Sequence, residues 1–149
     1  LPRRGIVEGT YELVESEEGH REVLSPDRIL SNKTLTPKRW DCVVFKSPQD
    51  RRYQYVQRLI GLPGEEVRIV EEKIYINGEP LLPPRWLGTI RYTPSNEVTV
   101  WQLGADEYFM LGDNTENSYD SRFWGPLKKE NITGVVEVIY WPKSRWKWK

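Results

Sequence analysis

The 149-residue chain reads as a mainly β domain built from antiparallel sheets. Three observations predict this. Short runs of β-branched and aromatic residues recur along the chain. Gly and Pro, 11 of each, interrupt any helical periodicity of about ten residues or more. Asn77-Gly78, the dipeptide that best tolerates the positive φ angles of a two-residue hairpin, follows directly on one of the runs.

In chain order, the first clear strand is Asp41-Cys42-Val43-Val44-Phe45-Lys46. Tyr53 to Ile60 alternates in part and stops at Gly61-Leu62-Pro63-Gly64, a turn; this segment lacks the Gly-Lys-Ser/Thr ending of a phosphate loop. Glu66 to Val70 and Lys73 to Ile76 follow, the latter closed by the Asn-Gly turn. Val98 to Trp101, Glu107 to Leu111 and Val135 to Tyr140 have the same character. Leu81 to Asn96, with Pro83-Pro84 and Pro94, is expected to be a loop or extended excursion, and Lys128 to Asn131 a short helical turn. There is no internal repeat and no low-complexity tract.

This length makes one domain, residues 1–149, the expectation. Lys plus Arg (22) balance Asp plus Glu (22), so no global field draws the chain to nucleic acid. Charge is uneven: between Gly5 and Leu24, Glu8, Glu12, Glu15, Glu17, Glu18 and Glu22 stand against Arg21, within an acidic N-terminal segment (1–26) expected to be a solvated face or mobile arm. Residues 143–149 instead interleave Lys143, Arg145, Lys147 and Lys149 with Trp146 and Trp148. That composition suits contact with a membrane surface, the alternative being a partly ordered chain end with Trp141 in the core. No apolar stretch approaches the roughly 18 residues that span a bilayer. The chain begins at Leu1, so a membrane anchor, if the protein has one, is expected upstream of it.

Cys42 is the only cysteine and sits in an apolar strand pattern, the place of a small core residue rather than a thiol nucleophile. His20 is the only histidine, so no zinc site is expected, and no cofactor-binding motif occurs. Trp86, Trp101 and Trp124 are expected in the core or lining a cleft.

Two segments carry a longer pattern. Tyr55-Val56-Gln57-Arg58-Leu59-Ile60-Gly61-Leu62-Pro63-Gly64-Glu65 is one, and Gly112-Asp113-Asn114-Thr115-Glu116-Asn117-Ser118-Tyr119-Asp120-Ser121-Arg122-Phe123-Trp124-Gly125 is the other. Asp27 to Lys33 and Pro37 to Lys46 precede them; Asn131-Ile132-Thr133-Gly134 and Tyr140-Trp141-Pro142 follow. Together these resemble the type I signal peptidases, membrane-anchored serine–lysine endopeptidases that remove leader peptides from exported proteins. The resemblance covers about Asp27 to Pro142. It implies coiled antiparallel sheets, a fold shared with the self-cleaving repressors, and a domain on the extracytoplasmic face of the membrane whose partners are leader peptides. A DNA-binding role is disfavoured, since no basic DNA-reading helix is present.

The family's general-base lysine stands directly before the Arg of the Tyr55–Glu65 motif, a position that here is Gln57. A carboxamide accepts no proton at physiological pH, so Gln57 cannot activate a hydroxyl. The family's nucleophile segment falls on Glu17-Glu18-Gly19-His20-Arg21-Glu22, where no serine stands. Lys46 and Lys73, in other strands, are expected at the surface. The resemblance further implies that Ser118 faces the position of the lysine amine, that Asp120 pairs with Arg122, and that Arg58 pairs with Asp113. The expectation is therefore a vestigial site of Gln57, Arg58, Asp113, Ser118, Asp120 and Arg122 in a catalytically silent domain with a peptide-binding or scaffolding role. The alternative is an active leader peptidase whose serine lies upstream of Leu1.

Overall fold

The computed structural model describes residues 4–8, 13–15, 21–23, 28–88, 91–92, 99–141 and 147–148, with side-chain surroundings from Leu30 to Glu137. The chain gathers into two compact units, residues 1–36 with 134–149 and residues 37–133. In chain order the strands are β1 (Arg4–Glu8), β2 (Leu13–Glu15), β3 (Arg21–Val23), β4 (Arg28–Asn32), β5 (Cys42–Lys46), β6 (Gln54–Gly61) and β7 (Glu66–Val70). They continue as β8 (Lys73–Ile76), β9 (Glu79–Pro80), β10 (Val100–Gln102), β11 (Glu107–Leu111), β12 (Leu127–Lys128), β13 (Ile132–Trp141) and β14 (Lys147–Trp148). The described helices are a four-residue α1 (Ser121–Trp124) and single 3₁₀ turns at Arg85–Leu87 and Lys129–Asn131. The architecture is mainly β and antiparallel.

In the first unit β4 lies between β1 and β13, with Ile6 opposite Leu30 and Val136 opposite Ser31, and β14 pairs with β13. β2 and β3 pair with each other, Val14 opposite Glu22. The acidic N-terminal stretch thus runs through three strands rather than forming an arm throughout. The side chains of its glutamates, His20, and the side chains of the Trp-rich tail lie outside the described residues.

The second unit holds two sheets. β5, β6, β11 and β12 form one in that order, and β10, β7, β8 and β9 the other. β7 alternates, with Val67 and Ile69 buried and Arg68 and Val70 exposed, so the smaller sheet buries one face only. That face meets the even-numbered side of β6. Val67, Ile69, Ile74, Ile76, Trp101 and Leu103 pack against Ile60, Phe109, Leu111 and Tyr92. The opposite side of the larger sheet packs Val43, Phe45, Leu59, Tyr108, Met110 and Leu127. Cys42, Val43, Val44 and Phe45 are buried in succession, which is why β5 reads as a continuous apolar run. Burial of each such large side chain stabilises the fold by about 1.5–3 kcal/mol relative to exposure.

The Asn-Gly hairpin forms as the sequence predicts: Ile76 pairs with Glu79 around Asn77 (φ 50°) and Gly78 (φ 84°). The Gly61–Gly64 turn is held from outside. The Arg39 guanidinium donates to both carboxylate oxygens of Glu65 at 2.9 and 2.6 Å and to the Ile60 carbonyl, while Glu65 accepts the Leu62 N–H. Burial opposes the Glu65 charge, but these bonds outweigh it and hold its carboxyl below the usual carboxylate range. Cys42 is a core residue as expected, at 8% exposure. Trp101 is in the core and Trp124 packs against it, but Trp86 is an exposed ring.

Candidate functional site

Arg58 is the best buried charge of the larger sheet, at 1% exposure. Three bonds keep it there. Its Nε and Nη2 donate to Asp113 at 2.7 and 2.6 Å, and Nη1 donates to the Trp40 carbonyl at 2.7 Å. Trp40 carries a positive φ of 75°, a conformation that costs a bulky L-residue on the order of 1–2 kcal/mol. Burial works against the guanidinium charge, yet the hydrogen bonds to Asp113 raise its pKa above the ordinary value.

The second ion pair closes the segment that Asp113 begins. Asp120, with no exposure, caps α1 and has its acceptor sites filled. Oδ1 takes Arg122 N–H and Nε at 3.2 and 2.8 Å, and Oδ2 takes Arg122 Nη2 and the Gly112 N–H at 2.9 and 3.1 Å. Ser121 Oγ accepts the Met110 N–H at 2.9 Å, tying α1 to β11. Arg122 Nη2 also reaches the Thr115 carbonyl at 3.1 Å. Both predicted pairs form, and they bracket the 114–119 loop.

Gln57 lies on β6 opposite Val43 of β5. Its Nε2 donates to the Tyr119 carbonyl at 3.0 Å, a carbonyl that also receives Trp124 Nε1 at 3.3 Å, while Gln49 donates to the Tyr119 hydroxyl at 2.6 Å. Gln57 Oε1 is buried without a partner. Ser118 is next to Tyr119, but its hydroxyl packs over the backbone of Gly112. A Cβ at residue 112 would stand 1.9 Å from Ser118 Oγ and 2.5 Å from its Cβ, so only glycine admits this approach. Lys73 is exposed, and Lys46 is half-buried. Lys46 sits three residues from Val43 along β5 and so projects from the other face of the sheet than Gln57.

The edge of β6 beside Gln57 is open. β5 covers residues 54–58 on one side, but β11 pairs with the other side only from Arg58 to Gly61. The reason is local: the chain leaves the ladder at Gly112, whose N–H goes to Asp120 instead of a strand partner. Among the described residues no strand occupies the second edge of Gln54–Gln57. Exposed rings stand near, Tyr119 and Phe123 stacked at 5.3 Å and each 47% exposed. No metal-ligating cluster occurs among the described residues. Sequence reasoning missed Tyr119, Gln49 and Tyr92. Their roles are backbone or long-range contacts that leave no local pattern.

The chain belongs to the signal peptidase family. Residues 7–141 match the family described as signal peptidase, peptidase S26. Signal peptidase I of Leptolyngbya laminosa is 36% identical over 130 residues, covering 80% of this chain and 62% of its own length. A probable signal peptidase I-2 of Synechocystis is 33% identical over 121 residues, covering 78% of this chain and 54% of its own. The chain therefore spans little more than half the length of these relatives. The crystal structure of a signal peptidase I from Enterococcus faecalis V583 superposes with a TM-score of 0.57 at 34% identity, covering 68% of this chain and 97% of that one.

Proposed function

We propose that this chain is a signal-peptidase-like domain that binds leader peptides of exported proteins as an added strand and does not cleave them. The observation that carries the reading is the unpaired edge of β6, Gln54–Gln57, which ends on a carboxamide. An extended peptide laid along that edge exchanges main-chain hydrogen bonds with it, and alternate side chains face the Tyr119–Phe123 pair. Gln57 then holds the adjoining loop through Tyr119 and takes no proton from a hydroxyl. The place of such a domain is the extracytoplasmic face of the membrane, where leader peptides emerge. Among the described residues no helix is long and apolar enough to cross a bilayer.

The test is a labelled leader peptide titrated with the purified chain, followed by mass spectrometry of the same mixture. Saturable binding without a cleavage product is the expected result, and N-methylation of backbone amides on the pairing side of the peptide weakens it about tenfold or more. Turnover above background, abolished by changing one serine of the chain, would assign leader-peptidase activity instead. Absence of binding overturns the reading altogether.

A further inference from the structure

The 113–120 segment brings Tyr119 to Gln57 and is fastened at its two ends by guanidinium groups, Arg58 on Asp113 and Arg122 on Asp120. A guanidinium bonds through its edge, and those edges are engaged by carboxylates and carbonyls. The faces remain. One and the same excursion, the connection from β9 to β10, lays a ring on each: Trp86 is 5.3 Å from Arg58 Cζ and Tyr92 is 5.4 Å from Arg122 Cζ. Phe123 lies 5.9 Å from Arg122 Cζ as well.

Two details say that the rings serve through their faces. Tyr92 is buried in the core with Val67 and Ile69 while its hydroxyl has no partner, so its ring and not its polar tip holds it there, with Arg122 Cζ 5.4 Å from the ring. Trp86 is 66% exposed on a 3₁₀ turn with no buried residue, so core packing does not explain its contact with a guanidinium that is itself 1% exposed. Pro83-Pro84 directly before the turn limits the conformations from which Trp86 must be held.

We propose that Trp86 and Tyr92 are positioning residues: together they act as a strap that orders the 113–120 segment by stacking on the arginine at each of its ends. Neither residue belongs to the motifs that carry the family resemblance. The strap orders the loop that borders the open edge of β6, so its loss weakens peptide binding. That second half rests on the peptide-binding reading above; the ordering of the loop does not.

Amide hydrogen exchange on the intact chain separates the two. In Trp86→Leu the amides of Gly112, Asn117 and Arg122 should exchange about two- to fivefold faster, the factor a partly exposed cation–π contact is worth. The amides of Val67 and Ile69 in the smaller sheet should be unchanged. Trp86→Phe should restore protection. Tyr92→Leu should accelerate the same amides by about tenfold or more, the contact being desolvated, and, because Tyr92 also packs with Val67 and Ile69, those of the smaller sheet as well, so Trp86→Leu carries the discrimination. Trp86, being exposed, keeps the test valid if Tyr92→Leu fails to fold. The leader-peptide Kd should weaken in step with the exchange. Unchanged exchange at 112–122 in Trp86→Leu, or equal acceleration throughout the smaller sheet, overturns the strap. A parent chain that binds no peptide sinks the functional reading while the exchange comparison still decides the strap.

Discussion

Asp120→Asn tests how much of this domain is held by the second ion pair. Asparagine caps a helix as well as aspartate does, so α1 keeps its cap and the change isolates the charge. The carboxylate now satisfies four N–H groups with two oxygens. A carboxamide that keeps its oxygen at the capping position Oδ1 turns its NH₂ at Oδ2 against both the Arg122 Nη2 and the Gly112 N–H. Arg122, only 3% exposed, is then a buried cation without its counter-ion. Breaking a buried pair from one side costs about 3–5 kcal/mol, and at about 2–4 °C per kcal/mol for a chain of this size the midpoint should fall by roughly 6–20 °C. The assay is urea or thermal unfolding followed by circular dichroism. Asp113→Asn is the internal comparison. Its carboxylate is 48% exposed, so solvent offsets part of the loss and the cost should be distinctly smaller. Combining Asp120→Asn with Arg122→Met removes the stranded charge and should recover a large part of the stability. A loss below about 1 kcal/mol, or a double variant as unstable as the two single costs added, would refute the reasoning.

Tyr92→Phe should be neutral or slightly stabilising, because the hydroxyl it removes is buried without a partner; a loss above about 1 kcal/mol in denaturant unfolding would reveal an ordered water there. Glu65 contributes a defined pH dependence. Its folded pKa is depressed below the ordinary glutamate value of 4.5, so its stabilisation is present above that value and disappears as pH falls through the folded one. Glu65→Gln should flatten the stability profile in that acid window, and a profile parallel to that of the parent would contradict it. Gln57→Lys should stay within about 1 kcal/mol of the parent at neutral pH, since it removes an orphaned acceptor and keeps a donor for Tyr119. Burial should lower the new amine's pKa, so the unfolded chain binds more protons and the variant's relative stability should rise with pH toward about 10.4. On the non-cleaving reading proposed above, Gln57→Lys alone should show no peptidase activity, and activity gained with it would show that a serine of this chain reaches residue 57.

What was legible in the sequence follows the range over which each piece of chemistry acts. Asn77-Gly78 fixes a turn through two adjacent residues, and β7 announces its buried face by alternation, so both are readable from a handful of neighbours. The Arg58–Asp113 pair joins residues 55 apart and was reached only through the family pattern. α1 escaped notice because four residues carry no period, although Asp120 is a standard cap. β9 and β12, two residues each, are defined by their partners alone. Tyr92 and Trp86 owe their place to a loop whose course no local rule sets. Trp86 is not a core ring: 66% exposed, it lies over the buried guanidinium of Arg58.

The geometry also divides the family motif by physical duty. Arg58, Gly112, Asp113, Asp120, Ser121 and Arg122 are each engaged in contacts within the domain, either charge pairs, main-chain bonds or a close approach that excludes a side chain. Losing any of them costs stability whether or not a peptide is ever cut. Selection for folding alone is enough to keep them. Gln57 is different: half-exposed, it makes one hydrogen bond to a carbonyl and leaves its own oxygen without a donor, so the fold constrains it little. A match across the motif is therefore strong evidence for the fold and weak evidence for the reaction. The family resemblance puts the reaction on the residue at 57 and on a hydroxyl within its reach, and the single hydrogen bond of Gln57 shows how little the stability of this scaffold enforces at that position.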